Sequence, residues 1–156
     1  MRRVLLAAAM AVVALAFVAP AAATTTVTVK MTFTEPVVPF EQSGDCPAAP
    51  EGFCGSGQVI PLGQATEMIF FGALCGGECD LRIVTLAGGS LFIEETFSNP
   101  LCPAGCVRAP VHGTLTDTVV GGTGIFAGAT GSLSGTVRAT NPQSQIKLSG
   151  TITFDP

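Results

Sequence analysis

Tryptophan and tyrosine are absent, and phenylalanine supplies every large aromatic side chain, 10 in all. Charge is scarce as well: 12% of residues are Asp, Glu, Lys or Arg, and the net charge is −4 with only 7 Lys and Arg. A nucleic-acid surface needs a basic field, so nucleic acid is excluded as a partner. There is 1 histidine, His112. A lone histidine has no partner at a fixed spacing, so no Ser-His-Asp arrangement can be argued and His112 reads as a surface or strand-end residue. Outside the N-terminus there is no helix-length periodic segment, no long internal repeat and no further apolar run long enough to span a bilayer. At 156 residues the chain is long enough for one domain and hardly for two. Its 19 glycines, plentiful threonine and low charge suit a β domain better than a helical one.

The N-terminus is an export signal in pattern. Met1-Arg2-Arg3 is a positive start, Val4 to Val18 an unbroken apolar run, and Ala19-Pro20-Ala21-Ala22-Ala23 a small-residue cleavage site. Residues 1–23 are therefore expected to be a signal peptide and 24–156 the mature domain, secreted to the extracellular side. The competing membrane anchor needs about 20 apolar residues, and the run is broken by proline and small residues before that. Arg2-Arg3 hints at the twin-arginine route, but the surrounding motif is poor. No cysteine follows the cut, so no lipid anchor is expected.

Past residue 23 the dominant signal is alternation. In Thr24 to Thr34, Val27, Val29, Met31 and Phe33 share one face, while threonines and Lys30 take the other. Residues 35–57 lose the period and carry Pro36, Pro39, Pro47 and Pro50 with Cys46 and Cys54, which reads as a tied loop. Strands are expected over Gln64 to Phe71, Leu81 to Ala87 and Leu91 to Phe97, the last two joined by a Gly88-Gly89 hairpin link. Ser98 to Pro110 is a second irregular loop. Further strands are expected over Val111 to Val120, Gly131 to Ala139 and Ile146 to Phe154, with a turn at Asn141-Pro142. That makes seven; closure of an up-and-down barrel calls for an eighth, near Val37 or Val59.

The stretch from Val119 to Val137 organises the rest. Gly121, Gly122 and Gly124 break a β run and permit positive φ. Ile125-Phe126-Ala127 gives a short apolar plug, and Gly131 and Gly135 lie on one face of the strand that follows, as a tightly curved barrel requires. A phosphate loop is a poor reading, because neither a helix nor Gly-Lys-Ser/Thr follows.

The segment G-G-T-G-I-F-A-G-A-T-G-S resembles the signature of the allene oxide cyclase and dirigent-like barrels, and looks most like their small secreted bacterial branch. P-L-G-Q-A-T-E at Pro61 to Glu67 and S-G-T-I-T-F at Ser149 to Phe154 are similar to further marks of that branch. The resemblance runs from about Thr24 to the end. It implies an all-β fold, a single antiparallel up-and-down β-barrel of about eight strands with disulfide-tied loops. It implies little chemistry. In plant cyclases the barrel encloses a hydrophobic substrate, and in dirigent proteins it steers the coupling of a radical or quinone methide. Dirigent sites use acidic groups with Tyr and Arg, and this chain has no Tyr.

The 6 cysteines of an exported chain point to disulfides. In a meander of the seven strands, the loops bearing Cys75/Cys79 and Cys102/Cys106 share one end, and Cys46 and Cys54 lie at the other and pair with each other. Cys75, Cys79, Cys102 and Cys106 then pair among themselves, locally or between loops. A four-thiolate zinc site is the competing use of that set, disfavoured because the export route oxidises thiols. A thiol redox role lacks the usual C-x-x-C spacing. No metal and no cofactor are expected.

Three acids lie on the apolar faces of strands: Glu67 with Ile69 and Phe71, Glu95 with Leu91, Ile93 and Phe97, and Asp117 with Leu115 and Val119. If those faces line a barrel, burial raises their pKa and makes them candidate acid–base groups. If the faces point outward, the acids are ordinary surface groups. Arg82 and Glu94 fall on the opposite faces and read as a cross-strand ion pair. The functional expectation is a non-catalytic secreted barrel holding a small hydrophobic or aromatic ligand. The alternatives are a cyclase, isomerase-like or dirigent-like enzyme using Glu67, Glu95 or Asp117, and a structural or surface protein with a filled barrel, homo-oligomeric through its outer apolar strand face.

Overall fold

The computed structural model describes residues 23–36, 46, 48, 52–98, 111–140 and 143–155. Of the leader expected over residues 1–23, residues 1–22 lie outside them, as do Val37, Cys102 and Cys106. Eight strands run in order: β1 (Thr25–Pro36), β2 (Gly52–Ile60), β3 (Gly63–Leu74), β4 (Cys79–Leu86), β5 (Gly89–Ser98), β6 (Val111–Gly122), β7 (Thr130–Thr140) and β8 (Gln143–Phe154). Each pairs antiparallel with its chain neighbours, and β8 returns to β1 to close a barrel. The all-β, up-and-down expectation holds. Among the described residues no helix is long and apolar enough to cross a membrane.

The missing strand is β2, at the Val59 site. Its period was hidden because three of its inward positions are Phe53, Gly55 and Gly57, and two of these have no side chain to mark a face. Supplying β2 also corrects the cysteine map. Counting one strand too few inverted the ends. The β1–β2, β3–β4 and β5–β6 connections all lie at one end, so Cys46 and Cys54 are not at the opposite end from Cys75 and Cys79. The pairing itself is as expected, with Cys46 bonded to Cys54. Cys75 is bonded to Cys79, within its own loop. Both sulfurs of that loop are thereby consumed, which removes the four-thiolate alternative. Glu94 lies beside them, but a disulfide offers no thiolate to a metal.

Side chains alternate between solvent and lumen along every strand. Val29, Met31, Phe33, Val84, Leu91, Ile93, Leu133, Ile146, Leu148 and Ile152 are buried in one contiguous core. The outer positions of β1, β7 and β8 carry threonine, serine, glutamine and lysine, which are mostly exposed. Gly131 and Gly135 face the β8 backbone so closely that a Cβ at either would meet a β8 carbonyl. Those glycines let β7 and β8 curve into the barrel wall.

The glycine corner seals one end. A short 3-10 turn, Gly124–Phe126, folds across the barrel after β6. Thr123 N–H donates to the Ser90 carbonyl at 2.8 Å and Ile125 N–H to the Gly88 carbonyl at 3.0 Å, tying the turn to the β4–β5 hairpin. Phe126 is driven into the core, edge-on to Phe154 with centroids 5.1 Å apart. Gly124 has φ 61°, and a Cβ there would run into the Gly88 carbonyl. Gly124→Ala is therefore expected to lower stability by about 1–3 kcal/mol, read as a reduced urea midpoint in far-UV circular dichroism.

Candidate functional site

Away from the Phe126 plug, toward the cysteine end, the lumen changes character. On β5 the inward residues run Leu91, Ile93, Glu95, Phe97; on β3 they run Ala65, Glu67, Ile69, Phe71. On β4 they run Leu86, Val84, Arg82, Asp80. An apolar base thus gives way to a charged band, with phenylalanines outermost. Glu35, Glu67, Arg82, Glu95 and Asp117 are all buried.

Arg82 is the hub. Its Nε donates to Glu95 Oε2 at 2.7 Å and its Nη2 to Glu95 Oε1 at 3.0 Å, a two-pronged pair. Its Nη1 donates to Glu35 Oε1 at 3.3 Å and also to Glu67 Oε2. Burial alone would lower the arginine's pKa, but Glu67, Glu95 and Glu35 outweigh it and hold the proton more tightly than usual. One guanidinium cannot satisfy four carboxyl groups. Burial pushes Glu67 up to about 8 despite Arg82, with Glu35 and Glu95 adding repulsion. Burial likewise raises Glu35. Asp117 is pushed up to about 7, first by burial and then by Glu95, its direct cross-strand neighbour. Both Asp117 oxygens and Glu67 Oε1 lack a hydrogen-bond partner among the described residues. Nearer the end, Asp80 accepts from the Gly72 N–H at 2.7 Å, and partial burial raises its pKa.

All three acids singled out from sequence line the lumen, and Glu95 and Asp117 stand in register across β5 and β6. Two members of the band were missed. Glu35 falls in the stretch expected as a loop, yet β1 runs on to Pro36 and Glu35 simply continues the Val29, Met31, Phe33 face. Arg82 does not form the outward pair expected with Glu94. Instead Arg82 faces in with Val84 and Leu86, and its strand partner is Ile93, whereas Glu94 pairs with Leu81. Leu81 and Ile83 disguised the period, because they are apolar on the outer side. Gly55 is part of the site by omission: a Cβ there would crowd Glu67 Oε1 and the Glu35 side chain. His112 is exposed on β6, away from these groups.

No family model matches the chain. No curated protein matches it either. Among solved structures, that of a pterocarpan synthase dirigent protein is similar at 12% identity, with a TM-score of 0.43, covering 84% of this chain and 86% of that one.

Proposed function

We propose that this chain is an exported β-barrel that binds a small apolar or aromatic ligand in its lumen, reached from the cysteine end, without transforming it. One observation carries the reading. Asp117 is 1% exposed, and neither carboxyl oxygen has a partner among the described residues, on a strand face otherwise made of Leu115 and Val119. A buried polar group left unmet costs about 1–3 kcal/mol, so a native fold that keeps one calls for a reason, such as chemistry at the group or a bound species that meets it. The leader pattern and two disulfides support export into an oxidising compartment. Kinship with the allene oxide cyclase and dirigent-like barrels belongs to the same reading, supported by the closed eight-strand barrel and the glycine corner that delivers Phe126.

The second reading is an isomerase or cyclase that uses the buried acids. Burial raises Glu67 to about 8 and Asp117 to about 7, so between those values Glu67 holds its proton while Asp117 has given one up. Native mass spectrometry of protein recovered from its own culture medium separates the readings. A retained small molecule identical before and after incubation is expected. Conversion of that molecule by wild type but not by Asp117→Asn establishes the enzyme, and a bare protein mass in every preparation overturns both.

A further inference from the structure

The charged band selects among ligands more sharply than apolar contact alone, and this step rests on the ligand-binding reading above. The band holds four carboxyl groups, Glu35, Glu67, Glu95 and Asp117, against a single guanidinium. Four of the five N–H donors of Arg82 are engaged: Nε and one of Nη2 go to Glu95, and both of Nη1 go to Glu35 and Glu67. Nothing among the described residues donates to Asp117, and Glu67 Oε1 is likewise unmet. Above the band, Phe53 and Phe71 meet edge-on with centroids 5.3 Å apart. Phe71 is 49% exposed and Phe97 42%, although both continue the lumen face of their strands.

From this arrangement we propose that the barrel takes a protonated amine carried on an apolar or aromatic body, the ammonium group seated against Asp117 and the body lying among Phe53, Phe71 and Phe97.

The physical reasons are of three kinds. Once Asp117 is ionised, a ligand presenting a carbonyl, ether or carboxylate oxygen would set lone pair against lone pair and leave both without a donor. A neutral hydroxyl brings one donor. An ammonium group brings three donors and a second positive charge to a band in which one guanidinium faces four carboxyls. The phenylalanine rings above the band suit the apolar or aromatic body that carries the amine. The titration of Asp117 fits the same guest: its carboxyl, held near 7, is ionised under mildly alkaline conditions and then matches a cation. The charged groups facing it are Glu95 on β5 and Arg82 on β4; its β7 partner is the apolar Leu133.

The test uses three probes of one shape, 4-phenylbutylamine, 4-phenylbutanol and 4-phenylbutyrate, titrated calorimetrically into the full-length secreted protein. The amine is expected to bind about tenfold or more tighter than the alcohol, the worth of one charge-assisted hydrogen bond, with the carboxylate weakest. Affinity for the amine should rise between about pH 6 and about pH 8 as Asp117 ionises. Asp117→Asn, nearly isosteric, should abolish the amine preference and flatten that rise while leaving the far-UV spectrum unchanged. Phe97→Ala should weaken amine and alcohol alike. Equal binding of amine and alcohol overturns the amine assignment and leaves a ligand-binding barrel standing. Amine preference that survives Asp117→Asn overturns the assignment of its seat. Failure of all three probes to bind, together with a bare native mass, overturns the ligand reading as well.

Discussion

Arg82→Met is expected to destabilise the barrel by about 3–5 kcal/mol at neutral pH, the cost of breaking a buried ion pair from one side. Methionine fills much the same length with flexible apolar volume, so the loss measures charge rather than a hole. Without Arg82, Glu95 loses both of its donors, and Glu35 and Glu67 lose theirs. Four acids would then share a buried band containing no cation. Arg82→Lys is expected to recover only part of the loss, because an ammonium cannot reach three carboxyls in the planar fork that guanidinium offers. Urea unfolding followed by far-UV circular dichroism is the appropriate assay, since a chain without tryptophan or tyrosine has no useful intrinsic fluorescence. An Arg82→Met barrel within about 1 kcal/mol of the parent would show that the band is wetter and cheaper than its burial implies.

The same band should make the fold more stable in acid than in mild base. Glu67 and Asp117 keep their protons in the folded chain up to about 8 and about 7. In the unfolded chain they release them in the ordinary carboxylate range. Through the interval between, the folded state therefore binds more protons than the unfolded one, and stability falls as pH rises. The contribution is fully present below the unfolded values and is gone once pH passes about 8. Glu35 and Asp80, also raised by burial, act with the same sign. At roughly 1.4 kcal/mol per pKa unit, the decline should amount to several kcal/mol and appear as a thermal midpoint that drops steadily across that interval. Glu67→Gln keeps the shape and removes one titration, so it should flatten the curve and leave the variant more stable than wild type above pH 8. A midpoint that climbs with pH would contradict the assigned direction.

The barrel was legible because seven of its strands advertise period two with β-branched and aromatic residues, and because the corner at Gly121 to Gly128 has few other uses. β2 was not, because glycine at inward positions leaves no hydrophobic mark. The three lumen acids could be found by parity alone: each interrupts an otherwise apolar face. Glu35 could have been found in the same way, had the β1 face been followed two residues further past a proline-rich composition that suggested a loop. Arg82 was harder. An arginine flanked by Leu81 and Ile83 looks like the polar side of its strand until Val84 and Leu86 are counted on its own face. The hub of the site is therefore the residue whose character most strongly argued for the outside, and only closure of the sheet reveals why it is inside: the acids from β1, β3 and β5 converge there.

Phe126 fills the far end of the lumen, so on the binding reading proposed above a molecule lodged over it leaves by the route through which it came. Arrival and departure then share one passage, and a change that merely narrows or widens this passage scales both rates together. Such a change leaves occupancy at equilibrium where it was. Residence time, not affinity, is the quantity through which the cysteine-bearing connections at that end would make themselves felt.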